Sequence, residues 1–272
     1  MFKDIKQVMK DSVLYGIGNV AVKLVGFILI PLYTDAEYFS TADYGLMGLL
    51  EVTSQILIAV MGLSLYSGLI RWYWDAEYRD KQKTIFFTTL LFTILTSLCI
   101  GSVLWLNVGE LSALLVQQQG YSLGGELPYI LQLLILTSML GAVVEVPQNL
   151  LRLQRKPIYY SLTNIVRLFV TLVLTIYFTI SLHRGVSGVY EAQLVGIVIQ
   201  LLMVLPLVIK NSSCRVDRKC TIQLLVYSYP LVFPAIVGSL LTVFDRYIIN
   251  HFQGLDDVGF YSLGYKVGNT LK

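Results

Sequence analysis

Apolar residues run along this chain in long blocks. Stretches at 12–33, 44–70, 84–106, 128–151, 158–182, 186–209 and 222–250 are almost wholly hydrophobic, and a shorter one occupies 257–272. A bilayer core takes about 20 apolar residues per helix, and a helix satisfies its own backbone groups there. The pattern predicts seven spanning helices and an eighth that is too short to cross. The first block is too long for a cleaved signal, carries Asn19 and Lys23, and has no small-residue cleavage site behind it.

Between the blocks the sign of the charge alternates. Lys3, Lys6 and Lys10 precede the first block, and Arg71, Arg79, Lys81 and Lys83 follow the second. Arg152, Arg155 and Lys156 follow the fourth, and Lys210, Arg215, Arg218 and Lys219 follow the sixth. These fourteen basic residues share one side of the predicted membrane, whereas the other side, around 34–43, 107–127, 183–186 and 251–256, holds only Arg184. Positive residues beside spans stay in the cytoplasm, so the N-terminus is expected there. One missed helix would scramble the alternation. Asp245, Arg246 and Tyr247 then fall in the outer half of an outward-running seventh span. The Asp-Arg-Tyr sequence of rhodopsin-like receptors belongs at the cytoplasmic end of a third span, so a receptor reading fails on position and polarity.

Composition supports a polytopic all-α membrane protein: 56% of the residues are hydrophobic and 14% charged, against about 25% charged in soluble domains. A net charge of +3, scattered in short clusters, gives no nucleic-acid surface. Three cysteines, Cys99, Cys214 and Cys220, and two histidines, His183 and His251, supply neither a disulfide framework nor a metal site. Neither histidine sits in a nucleophile motif, and there is no glycine-rich phosphate loop. The chain is not expected to be an enzyme or to need a cofactor.

Polar residues inside the blocks recur at steps of three and four, which places them on one helix face. Ser12, Tyr15, Asn19 and Lys23 form such a stripe in the first span, and Gly48, Glu51, Gln55 and Ala59 in the second. Gly141, Glu145, Gln148 and Arg152 do so in the fourth, Asn164, Arg167, Thr171 and Thr175 in the fifth, and Ser239, Thr242, Arg246 and Asn250 in the seventh. Lys266 and Asn269 belong to the eighth. Small and hydroxylated residues also serve ordinary helix contacts. Ionised groups at depth need protein or water around them, so Asn19, Lys23, Glu51, Glu145, Asn164, Arg167, Asp245, Arg246 and Lys266 are the candidate cavity residues. Their mixed, slightly cationic lining suits an anionic head group with polar sugars. Asp245 and Arg246 point about 100° apart on a helix and need not pair. Pro31, Pro147, Pro206, Pro230 and Pro234 mark kinks, read equally as gates or as fixed architecture.

At an offset of 214 residues the first two blocks align with the last two: Tyr15 with Tyr229, Tyr33 with Tyr247, Asp43 with Asp257, Gly45 with Gly259, and Leu49 with Leu263. Two unrelated hairpins can give such matches, because turns favour Asp and Gly. The shared layout of a span, an acidic turn of equal length, an Asp-x-Gly entry and another span favours a true repeat. A true repeat means parallel six-helix units, here one complete (1–215) and the next cut short (216–272), in a protein of about 430 residues or more.

The segments GIGNVAVKLVGFILIPLYT with ADYG, RWYW, and FDRYIINHF with DDVGFYSLGYKVG resemble bacterial polysaccharide biosynthesis proteins of the O-antigen and capsule flippase type. These belong to the multidrug/oligosaccharidyl-lipid/polysaccharide exporter superfamily. The resemblance implies a two-lobe exporter of the bacterial inner membrane. It would move undecaprenyl-diphosphate-linked oligosaccharide outward by alternating access, beside membrane lipids and with a polysaccharide polymerase and chain-length machinery as partners. A cation-coupled drug exporter, a lipid II flippase and a structural scaffold remain alternatives. A polymerase would place catalytic groups in a large outer loop, yet 107–127 offers only Glu110 and Glu126 as charges. On the loop charges, a cysteine at Gly254 is labelled from outside the cell and one at Asp217 is not; the reverse labelling pattern overturns the topology.

Overall fold

The computed structural model describes residues 28–115, 125–213 and 215–270, and no strand occurs among them. Asn19, Lys23 and most of the first predicted span lie outside the described residues. The helices are α1 (Ile30–Tyr33), α2 (Thr41–Gly62), α3 (Leu65–Trp72), α4 (Gln82–Leu106), α5 (Val108–Leu115), α6 (Leu127–Leu153), α7 (Pro157–Ile176), α8 (Gly185–Asn211), α9 (Arg218–Phe252) and α10 (Leu255–Thr270). A 3-10 segment, Ala76–Lys81, leads into α4, and a π-helical turn, Tyr177–Ser181, ends α7. Six of these helices, among the described residues, are long and apolar enough to cross a membrane, and they correspond to predicted spans two to seven. The 16 residues of α10 rise about 24 Å, short of a bilayer core.

Local chemistry fixes several helix ends. Ser40 and Asp43 form a reciprocal capping box at the start of α2, which satisfies two orphan donors at once. Asp217 caps α9 by accepting from the backbone N–H groups of Lys219 and Cys220. Pro128 and Pro157 sit in the first turns of α6 and α7, where the missing N–H is not needed.

The span expected at 44–70 is not one helix. It breaks at Leu63 and Ser64, which adopt left-handed φ values of 45° and 51°. Groups distant in the chain bond the broken segment. Thr96 Oγ1 donates to the Met61 carbonyl at 2.8 Å. Ser64 Oγ donates to the Leu231 carbonyl of α9 at 3.3 Å. A broken helix at membrane depth survives only where neighbours supply such partners.

Among the described helices α6 packs on α2, α4 and α8, while α7 lies against α8. One buried cluster, including Leu46, Leu49, Leu50, Ile130, Leu134 and Leu255, lies toward the end where α2 starts. A second, including Leu65, Leu69, Phe86, Leu150 and Leu224, lies toward the basic loops. Large apolar residues such as Phe169, Leu202 and Leu241 face outward, as a lipid-facing surface does.

The tightest helix contact joins α2 to α10. A Cβ on Gly45 would sit 1.8 Å from the Leu255 carbonyl oxygen, and one on Gly259 would sit 2.5 Å from that of Thr41. A Cβ on Gly48 would meet Ser262 Oγ at 2.4 Å. Gly45 and Gly259, the pair 214 residues apart, thus face each other across this crossing. Small residues let two backbones approach where lipid supplies no hydrophobic drive. Gly254 has φ +98° and Asp217 caps α9, so exposed Gln253 and Arg215 carry topology labels with less strain than those two positions. Gly45→Ala should destabilise the protein in detergent by about 1–3 kcal/mol. Gly264→Ala, with nothing within 4 Å of its Cβ, should be neutral or stabilising by up to about 1 kcal/mol. Thermal unfolding checks both, and equal midpoints would contradict the close contact.

Candidate functional site

Among the described residues, three places hold most of the candidate charges. The first lies where α9 and α10 meet α2. Arg246 is 7% exposed, and its Nη1 donates to the Gly48 carbonyl at 3.1 Å. Its guanidinium carbon lies 5.1 Å from the Tyr265 ring centroid, a cation–π distance. Asp245 turns elsewhere: its Oδ1 accepts the Arg246 backbone N–H at 2.8 Å, and the Tyr261 hydroxyl donates to its Oδ2. On the same helix the Tyr247 hydroxyl bonds Thr53 Oγ1 of α2 at 2.7 Å, and Asn250 Nδ2 donates to the Leu115 carbonyl at 2.9 Å.

Lys266 lies beside this group, its Nζ 5.6 Å from the Tyr33 ring centroid and 6.0 Å from that of Tyr44. Glu51 is exposed on α2. Arg246, Lys266 and Asp245 are therefore set among Tyr265, Tyr33, Tyr44 and Tyr261 near the crossing of α2 and α10. The polar stripes pointed to the charges and missed the tyrosines Tyr33, Tyr44, Tyr261 and Tyr265. Only the four-residue spacing of Tyr261 and Tyr265 marked a shared face in the sequence.

The second group lies between α7 and α8. Arg167 Nη1 donates to Gln200 Oε1 at 3.1 Å, and Gln200 Nε2 donates to Asn164 Oδ1 at 2.9 Å. Asn164 Nδ2 donates in turn to the Tyr160 carbonyl at 2.9 Å. Gln200 is 1% exposed, and it is the member that sequence reasoning missed. An amide in the apolar second half of the sixth span was its only signal. No carboxylate pairs with Arg167 among the described residues. Gly196 makes room for this pairing, since a Cβ there would come 2.2 Å from Thr171 Oγ1.

Glu145 makes up the third group. It is half-buried on α6, with Oε2 3.9 Å from the Cβ position of Gly62, at the break between α2 and α3. Its stripe neighbour Gln148 turns to Thr163 Oγ1 at 2.9 Å. The seven candidates among the described residues are thus not one continuous lining. Asp245, Arg246 and Lys266 gather near the α2–α10 crossing, and Asn164 and Arg167 form a separate network. Glu145 lies at the α2–α3 break and Glu51 is exposed on α2, while Asn19 and Lys23 lie outside the described residues. No group of three or more His, Cys, Asp or Glu side chains suited to a metal occurs among the described residues.

The sequence profile described as polysaccharide biosynthesis protein matches residues 8–272. The chain belongs to that family. Its fold is that of the exporters of the MOP superfamily. An outward-facing multidrug resistance MATE transporter superposes with a TM-score of 0.69 at 16% identity, over 97% of this chain and 60% of that one. An inward-facing one gives 0.63 at 16% identity, over 93% and 57%. A MOP superfamily transporter from Pyrococcus furiosus, described as having a binding pocket of reverse polarity, gives 0.69 at 16%, over 90% and 55%. The chain spans less than two thirds of each of these proteins. No curated protein matches it. The family and fold are those of multi-pass membrane transporters and flippases.

Replacing Gln200 with Leu strands Asn164 Oδ1 and removes the acceptor of Arg167 Nη1. Loss of a charged and a neutral buried bond should destabilise the chain by about 2–4 kcal/mol, read by denaturation in detergent. Unchanged stability would mean that water replaces Gln200.

Proposed function

We propose that this chain serves the translocation of undecaprenyl-diphosphate-linked oligosaccharide across the bacterial cytoplasmic membrane, for O-antigen, capsule or exopolysaccharide synthesis. The observation that carries this reading is family membership over residues 8–272. The chemistry of the lobe crossing agrees with it. Lys266 and Arg246 offer positive charge for phosphate oxygens, and the tyrosines offer ring faces and hydroxyls for sugars. In this reading residues 1–215 form one six-helix lobe and 216–272 begin the second, with the N-terminus in the cytoplasm. Asn19, Lys23, Glu51, Glu145, Asn164, Arg167, Asp245, Arg246 and Lys266 face or support the substrate path. Arg246 and Asp245 act mainly by holding α9 and α10 to α2, through Arg246 Nη1 on the Gly48 carbonyl and Asp245 on the Tyr261 hydroxyl. Lys266, half-buried with its ammonium near the Tyr33 and Tyr44 rings, is the cation assigned to the substrate's phosphate.

Surface glycan in cells whose own flippase has been deleted is the readout. Lys266→Glu should lower export about tenfold or more, the effect of losing one charge-assisted contact, while membrane insertion persists and Lys266→Arg retains most export. Full export by Lys266→Glu removes the proposed role of that residue. Failure of the unmutated chain to support export, together with drug efflux from the same cells, replaces the oligosaccharide reading with that of a multidrug exporter.

A further inference from the structure

Helix α9 is fastened to the first lobe at two places with opposite chemistry. Toward the start of α2 the contact is made by α9 side chains, Arg246 on the Gly48 carbonyl and Tyr247 on Thr53, beside the crossing where the α10 backbone at Leu255 and Gly259 meets Gly45. The buried Arg246 guanidinium and the close α10 backbone make this junction costly to open.

At the basic end the contact is made by ion pairs and a narrow apolar stripe. Lys81 Nζ lies 2.6 Å from Asp217 Oδ2, and Lys219 Nζ lies 2.7 Å from Glu77 Oε1. The two pairs join the Ala76–Lys81 segment to the first turn of α9 with opposite polarity, so each holds the other in register. Lys81 and two backbone N–H groups keep the Asp217 carboxyl below the usual carboxylate range. Behind the pairs Cys220, Leu224 and Ser228 recur every four residues, all buried. They meet Tyr78, Leu65 and Leu69, with Gly68 against Leu224 and Ser228. Tyr78 donates to Gln223, and the Trp72 and Tyr227 rings meet edge to face at 5.1 Å. The Ser228 hydroxyl is buried with no hydrogen-bond partner among the described residues, so the closed contact leaves one polar group unsatisfied.

Between the two junctions α9 carries Pro230 and Pro234, which leave carbonyls without helical donors and make this the natural bending point. We propose that the Glu77–Lys219 and Lys81–Asp217 pairs form a latch that closes the basic end of the bundle. Their release lets the first three turns of α9 swing about Pro230 and Pro234, while the α2–α10 crossing stays fixed. Exposed ion pairs suit that task because each is individually weak and water replaces it readily. The latch goes beyond the proposed cargo and holds for any substrate of this fold.

Cys220 is a built-in reporter, because it is buried under the latch and becomes reachable when the latch opens. In the chain carrying Cys99→Ser and Cys214→Ser, reconstituted in lipid nanodiscs, a water-soluble maleimide should label Cys220 slowly. Glu77→Lys and, separately, Lys81→Glu set like charges across one pair each without touching α9. Each should speed labelling about threefold to fivefold at low salt, the effect of about 0.6–1 kcal/mol. Adding Lys219→Glu to Glu77→Lys should return the slow rate. A second reporter, Ser262→Cys in a chain without native cysteines, probes the α2–α10 crossing and should stay unlabelled throughout. Parental rates in both single variants, failure of the swap to restore slow labelling, or a parallel rise at position 262 would each overturn the latch.

Discussion

The close approach of α2 and α10 is the contact on which the rest of the arrangement depends. A bilayer offers no hydrophobic reward for bringing two helices together, so association must come from packing and from polar bonds between them. Gly45 and Gly259 remove the side chains that would hold the backbones apart, and a Cβ at either would collide with a carbonyl oxygen. With the backbones that close, the Gly48 carbonyl becomes an acceptor for Arg246, and the Lys266 ammonium comes over Tyr33 and Tyr44. Bulkier residues at the crossing would take apart the charged group of the lobe interface along with the contact itself.

A second constraint follows from the same solvent. Polar groups at membrane depth must find partners in the protein, and this chain arranges them by network. Arg167 and Asn164 meet through Gln200. The broken segment at Leu63 and Ser64 is served by Thr96 and by the α9 backbone. Each solution joins residues far apart in the chain, so the internal polar groups also specify which helices are neighbours. The contrast between the two ends of α9 has the same origin. Buried polar contacts beside a close backbone crossing resist separation, whereas ion pairs open to water exchange freely with it.

Much of the fold was legible in the sequence because its signals are local. The apolar blocks from the second to the seventh recur as helices within a few residues of their expected limits. The shortness of the eighth block was visible in its residue count. Gly45 and Gly259 stood out as a matched pair, but nothing in the sequence said that they would touch. The break inside the second block went unseen, because the groups that bond to it, Thr96 and Leu231, lie more than thirty residues away. The candidate site was legible only in part. Charge at depth was conspicuous in Arg167, Arg246 and Lys266, whereas the tyrosines around them and the amide of Gln200 looked like ordinary interior residues.

The amino-acid sequence by itself determined that this is a polytopic helical membrane protein, where its helices lie, and which residues carry charge into them. Those properties follow from hydrophobic length, because each span must satisfy its own backbone in lipid. Only the tertiary structure decided that Asp245, Arg246 and Lys266 gather apart from Arg167 and from Glu145. The same holds for Asp245, which serves Tyr261 instead of its neighbour Arg246, and for the two ion pairs that close the far end of α9. Such pairings depend on which helix faces which, a matter of backbone approach and rotation about the helix axis that hydrophobic patterning leaves open.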